Sequence, residues 1–242
     1  MGNELILEHL GILVTTSCNL NCRNCADLIP RRASHHYELK HIISDMSIVL
    51  ENVDYIKEIL VIGGETLLYP RLPEILDFCK SQEKIGKIII TTNGAFVPDE
   101  KLLNRFRENE VLIRVSGYPE YVTPDRKKVL QKYRDSSLEV EDLETMQWYD
   151  IGDFKKRYRT EKQLKNVFCT CIMKNCVTLS QEGKIFFCSR QLAAAETMFY
   201  PSPLVHEFVD VRTENNLREK LREFYSLPYI TTCDYCDGIS CE

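Results

Sequence analysis

Three thiols stand within eight residues near the start of the chain, in Cys18-Asn19-Leu20-Asn21-Cys22-Arg23-Asn24-Cys25, at spacings x3 and x2. They follow an alternating apolar run, His9-Leu10-Gly11-Ile12-Leu13-Val14, that reads as a strand. Closely spaced thiolates favour soft metals, and three ligands on a four-position metal leave one position open for a substrate or cofactor. Half of a zinc knuckle is one competing reading, but zinc loops usually pair two Cys-x2-Cys elements. A disulfide framework is the other. The 11 cysteines among 242 residues come with no signal-peptide pattern, in a chain long enough to bury a core without staples.

Two downstream segments narrow the choice. Ile59-Leu60-Val61-Ile62 runs into Gly63-Gly64-Glu65, and Lys87-Ile88-Ile89-Ile90-Thr91-Thr92 runs into Asn93-Gly94. The Cys-x3-Cys-x2-Cys triplet, with a GGE and a TNG turn in register behind it, resembles the radical S-adenosylmethionine (SAM) superfamily. That resemblance implies that Cys18, Cys22 and Cys25 hold three irons of a 4Fe–4S cluster and that SAM chelates the fourth. An electron then cleaves the sulfonium, and a 5′-deoxyadenosyl radical takes a hydrogen from substrate. Gly63 and Gly64 would let backbone approach the methionine moiety, Glu65 would accept from its ammonium group, and Asn93 and Ser116 would bind its ribose or carboxylate. The plainer alternatives are a turn position for Asn93 and a helix cap for Ser116. Asn24 departs from the aromatic residue that the family usually carries before its third cysteine.

Seven of the cysteines lie in the last third: Cys169, Cys171, Cys176, Cys188, Cys233, Cys236 and Cys241. Val177-Thr178-Leu179 and Lys184-Ile185-Phe186-Phe187 flank Gln181-Glu182-Gly183 as a hairpin with glycine in its turn. Cys171 and Cys188 bracket that hairpin, and with Cys233-x2-Cys236 they make a tetrathiolate cage, with Cys169 and Cys176 as rivals for the first position. The layout resembles the twitch form of the SPASM extension and implies one auxiliary 4Fe–4S cluster, two clusters in all. A zinc tetrathiolate would use the same ligands. Cys79 falls on the apolar face of a helix and reads as core.

The elements that must position these groups alternate strand and helix. Strands are expected at 10–16, 58–62, 87–92, 111–116 and 138–142, with helices at 39–53, from Pro73, at 98–107 and at 124–134. Five or six βα units fit an α/β fold, the partial (β/α)6 TIM-like barrel that the resemblance implies. Its site would lie at the carboxyl ends of the strands. Residues 1–160 would form this core and 161–242 a small cysteine-rich α+β extension, a β-hairpin plus a helix at 216–224. The charge run Lys155–Lys162 reads as a solvated linker or helix face.

A net charge of −5 gives no sign of a nucleic-acid partner, and no apolar run approaches a membrane span. The expectation is a cytoplasmic protein that takes electrons from a flavodoxin or ferredoxin. Within the family the layout resembles a cyclitol dehydrogenase of aminoglycoside biosynthesis, which points to a dehydrogenase or epimerase acting on a carbohydrate-like small molecule. Epimerisation needs a hydrogen-donor thiol, for which Cys176 and Cys241 are the candidates. Arg114, Arg190, Trp148 and Tyr149 are candidate pocket residues. Peptide modification is the first alternative, disfavoured by the short stretch before Cys18, and a non-catalytic iron–sulfur or zinc protein is the second.

Overall fold

The structure is a computed structural model that describes residues 4–117, 126–143, 155–197 and 207–239. Its frame is a run of parallel strands joined by helical crossovers: β1 (Ile6–Thr15), α1 (Leu39–Asn52), β2 (Tyr55–Gly63), α2 (Leu72–Lys80), β3 (Ile85–Thr92), α3 (Glu100–Glu108), β4 (Leu112–Ser116), α4 (Arg126–Asp135) and β5 (Val140–Leu143). Sequence dictates this locally. On α1, Ile42, Met46, Val49 and Leu50 are buried at helical spacing. Pro73 sits in the first turn of α2, and the Asp99 carboxylate caps α3 by accepting from the Leu102 N–H at 2.8 Å. The strands read as near-continuous apolar runs because both faces are covered. Leu10 and Ile12 to Val14 on β1, and Ile88 to Ile90 on β3, are all buried.

Beyond β5, the chain forms α5 (Glu161–Thr170), β6 (Thr178–Leu179), β7 (Lys184–Phe186), α6 (Ser189–Thr197), β8 (Val209–Asp210) and α7 (Leu217–Tyr225). All eight strands belong to one open sheet in the order β5-β4-β3-β2-β1-β6-β7-β8. β1 to β5 are mutually parallel, and β6 joins β1 in parallel through Gly11↔Thr178 and Ile12↔Leu179. β6, β7 and β8 then pair antiparallel. The fold is an α/β partial TIM-like barrel, not closed, with a small C-terminal extension.

Gly11 makes that junction possible: a Cβ there would meet Thr178 Oγ1 at 3.2 Å and Val177 O at 3.3 Å. Arg212, just after β8, donates to both carboxylate oxygens of the buried Asp45 on α1 at 2.8 Å, and Phe224 of α7 stacks on Phe187 at 3.9 Å. The expected hairpin is present with Gly183 at φ +74° in its turn. Cys79 is buried in the core as expected.

Three differences from the sequence reading have local causes. Among the described residues the consecutive βα strands number five, within the five or six expected, and the sixth parallel strand comes unexpectedly from β6 of the hairpin. Lys155–Lys162 is no simple linker. Thr160 and Gln163 form a reciprocal capping box that starts α5, and Arg157 and Arg159 bind the Cys233–Asp237 turn. Helix α6, in an alanine-rich stretch of high helix propensity, was not expected.

Candidate functional site

The loop carrying the triplet leaves the carboxyl end of β1 and is stitched to the end of β2. The Gly64 N–H donates to Thr15 O at 2.9 Å and the Glu65 N–H to Ser17 O at 2.8 Å. Both glycines are required by this contact. A Cβ on Gly64 would lie 2.4 Å from Ser17 O and 2.8 Å from Cys18 Cβ, and one on Gly63 would lie 2.8 Å from Thr15 Cγ2.

Glu65 turns inward and is 1% exposed. Its Oε1 accepts from Leu67 N–H at 3.0 Å and Thr92 Oγ1 at 2.8 Å, and its Oε2 accepts from Asn93 N–H at 2.8 Å. Burial pushes this carboxyl above its ordinary range, against those three donors. Asn93 passes the link on, donating from Nδ2 to Asn19 Oδ1 at 2.8 Å while its own Oδ1 accepts from the Ala95 N–H at 2.9 Å. One buried network therefore fixes β2, β3 and the triplet loop to one another.

Beside this network lies a cavity of about 240 Å³, lined among others by Cys25, Gly63, Gly64, Asn93 and Ser116. Five of the expected SAM-site residues thus converge on one space. Glu65, Cys18 and Cys22 are not on its wall. Cys18 Sγ accepts from the Leu20 N–H at 3.4 Å. Burial pushes the Cys25 thiol up to about 12, helped by the charge of Asp27. Asp27 lines the same cavity, takes a hydrogen bond from the Ser189 side chain, and keeps Oδ1 buried with no hydrogen-bond partner among the described residues. Cys176 is also on the wall; burial first, and then Asp27 and Cys171, push its thiol up to about 11, so it stays protonated at neutral pH.

A second, apolar cavity gathers Cys171, Cys188, Cys233 and Cys236, the four expected cage residues, between Val167, Phe168, Phe187 and Ile230. Burial, followed by the neighbouring thiols at 233, 236 and 171, raises Cys188 well above its ordinary value. Backbone N–H groups reach three of the sulfurs: Gln191 to Cys188 at 3.4 Å, Gly238 to Cys236 at 3.3 Å, and Ile239 to Cys171 at 3.4 Å. Arg159 Nη1 donates to the carbonyls of Cys233 at 2.6 Å and Cys236 at 2.9 Å, clamping the turn that bears them. Met173 lines both cavities, so the two spaces adjoin. Of the rivals, Cys169 is exposed and absent from this wall, and Cys176 belongs to the other cavity. Among the described residues no three His, Cys, Asp or Glu side chains converge on a point that would hold a single ion.

The family model of the radical SAM superfamily matches residues 12–143, more than half of the chain. The chain belongs to the radical SAM superfamily. Similar curated proteins include the GTP 3′,8-cyclase of Chlorobaculum tepidum, 31% identical over 91 residues, 38% of this chain and 27% of that protein. A probable GTP 3′,8-cyclase of Methanococcus maripaludis is 32% identical over 103 residues, 42% of this chain and 33% of that protein. The matched stretch is therefore about a third or less of each relative. Among solved structures, BtrN in complex with AdoMet and 2-DOIA superposes with a TM-score of 0.59 at 15% identity, covering 98% of this chain and 95% of that one. The enzyme anSMEcpe with bound AdoMet gives 0.60 at 12% identity, over 90% and 77%. These likenesses establish the shared fold.

Membership implies SAM and a 4Fe–4S cluster, and the triplet, the GGE and Asn93 stand at the carboxyl ends of β1, β2 and β3. Sequence reading missed Asn19, Asp27, Met173 and Ser189, none of which belongs to a spaced motif. Asp27 had one visible signal, a lone acid directly behind three thiols. Arg190 was expected in a substrate pocket but lines the second thiol cavity, because its place two residues after Cys188 puts it in the first turn of α6. Arg114 pairs with Glu141 on β5 at 2.7 Å, and its charge reaches Cys176. Cys241, Trp148 and Tyr149 lie outside the described residues. Among the described residues no helix is long and apolar enough to cross a membrane.

Proposed function

We propose that this radical SAM protein is a dehydrogenase or epimerase of a small polar, carbohydrate-like molecule, with a core of about residues 1–160 and an auxiliary-cluster extension behind it. The observation that carries this reading is the pair of adjoining cavities, one walled by Cys25, Gly63, Gly64, Asn93 and Ser116 and the other ringed by four thiols. The donor sets suit their cofactors. Cys18, Cys22 and Cys25 would hold the SAM-binding cluster and leave one iron open. Cys171, Cys188, Cys233 and Cys236 would enclose the auxiliary 4Fe–4S cluster, since thiols that ring a space suit a polynuclear centre better than a single ion. When bound, cluster and SAM together supply a 5′-deoxyadenosyl radical able to abstract hydrogen from carbon.

The chain's own residues supply the geometry. The Gly63-Gly64 backbone stands open on the cavity, while Glu65 holds it in place by anchoring β2 to β3 and to Asn93. Asp27 offers an unpaired acceptor to a hydroxyl or amine of the substrate. Cys176 faces the same space as a protonated thiol, the form that can give up a hydrogen atom. The fold is shared with BtrN, whose structure holds AdoMet and 2-DOIA. A cyclase acting on a purine nucleotide is the second reading, favoured by the identity to GTP 3′,8-cyclases, although that identity covers less than half of this chain. The electron donor in this account is a flavodoxin or ferredoxin.

Anaerobic reconstitution with SAM and dithionite should release 5′-deoxyadenosine from the full chain. Cyclitols, sugar derivatives and GTP, each tested in deuterium oxide, then separate the readings. An epimerised product carrying deuterium that disappears in Cys176→Ser marks an epimerase. An oxidised product indifferent to that change marks a dehydrogenase, and turnover of GTP alone would remove the carbohydrate reading.

A further inference from the structure

The two cavities differ in charge. Among the described residues, the side chains of fixed charge on the thiol-ringed wall are Lys174 and Arg190, both cations, while on the SAM-side wall Asp27 is the one carboxylate and no Lys or Arg appears. Lys174 spends its ammonium group on the Cys169 carbonyl. Arg190 is different: it is 3% exposed, sits two residues after Cys188, and lies on the same wall as all four sulfurs. It is close enough to Cys236 for its charge to act on that sulfur. Two acids also act on these sulfurs, Asp237 on Cys236 and Glu207 on Cys233, and each has partners of its own. Asp237 is held by Arg157 and Arg159 at 2.8 and 3.0 Å, and Glu207 accepts from the Thr231 backbone.

We propose that Arg190 sets the reduction potential of the C-terminal cluster site, holding it above that of the site at Cys18, Cys22 and Cys25. The inference rests on the auxiliary-cluster reading. A buried guanidinium beside a tetrathiolate cluster stabilises the form carrying one more electron, because reduction adds negative charge where water cannot screen it. Hydrogen bonds reach sulfurs in both sets, so the contrast rests on charge: Arg190 and Lys174 at the C-terminal site, against the carboxyls of Glu65 and Asp27 acting on Cys18 and Cys25. The extension is thereby the easier of the two sites to reduce.

The test is an EPR-monitored redox titration of the reconstituted full chain, with the Cys18/Cys22/Cys25→Ala chain as the reference that isolates the C-terminal signal. Arg190→Gln should lower the midpoint of that signal by at least a tenfold change in the reduced-to-oxidised ratio, about 59 mV for one electron. The other cluster should stay where it is, and Arg190→Lys should recover most of the loss. An unchanged midpoint in Arg190→Gln, or an equal shift of both clusters, would overturn the proposal. If Arg190→Gln fails to hold iron, Arg190→Lys decides: retained iron at the native midpoint supports the role of charge, and loss of iron there too makes the side chain a scaffold. A native chain that takes up only one cluster's iron would instead sink the auxiliary-cluster reading itself.

Discussion

Cys18, Cys22 and Cys25 hang from one loop at the carboxyl end of β1, whereas Cys171, Cys188, Cys233 and Cys236 arrive from three separate stretches of the last third of the chain. The first set reaches, through Cys25, a cavity walled by strand ends, glycines and Asp27, whose Oδ1 has no hydrogen-bond partner among the described residues. The second is walled by Val167, Phe168, Phe187 and Ile230, with Arg190 on the same wall. Three ligands from a single loop need outside support, which Gly64, Glu65 and Asn93 give by tying that loop to β2 and β3. Four thiols from distant segments would instead be held by a cluster they share, and would hold those segments in return. In the proposed reading, an open site that brings a ligand onto iron and a closed one that keeps or passes an electron stand side by side, with Met173 the lining residue they share among those described.

If that contrast is right, damage to the two sites should look different. The largest effect belongs to the closed one. Cys171→Ser should remove the C-terminal cluster, cutting iron per chain by about half, and loosen the extension, because binding and folding are coupled in small metal modules. Iron analysis and thermal melting read both, and a chain that keeps its iron would show Cys171 to be no ligand.

A smaller effect is expected at the support of the open site. Glu65→Ala leaves the Leu67 and Asn93 N–H groups and the Thr92 hydroxyl without their acceptor. A buried donor stripped of its acceptor costs about 1–3 kcal/mol, partly offset here by removing a carboxylate that burial disfavours, so a net loss of about 2–3 kcal/mol is expected. Denaturant unfolding should register that loss, while SAM affinity in the chain that remains folded falls less. A weakened SAM affinity with native stability would return Glu65 to direct contact with the ammonium group.

Much of this was legible in the sequence because the triplet, the GGE and the TNG turn each follow an apolar run, so periodicity placed them at strand ends before any coordinates did. That Cys171, Cys188, Cys233 and Cys236 line one cavity was legible as well, since a hairpin and a Cys-x2-Cys pair restrict which thiols can meet. What stayed hidden depends on distant partners. Glu65 read as an acceptor for the SAM ammonium group because nothing in Gly63-Gly64-Glu65 shows that Thr92 and Asn93, at the end of β3, supply two of its three hydrogen bonds. Arg157 and Arg159 looked like a solvated charge run because their acceptors, Asp237 and the Cys233 and Cys236 carbonyls, lie far along the chain. The hairpin was foreseen, but its pairing with β1 rests on the missing side chain of Gly11.

The central claim is that the two cysteine sets are separate sites with separate work, and one triple variant tests it. Cys18, Cys22 and Cys25 are replaced together by Ala, the full chain is reconstituted anaerobically, and iron is counted alongside 5′-deoxyadenosine formed with SAM and dithionite. About half of the native iron should remain, in the C-terminal site, and no 5′-deoxyadenosine should form. Continued formation of 5′-deoxyadenosine, or loss of all iron, would contradict the account.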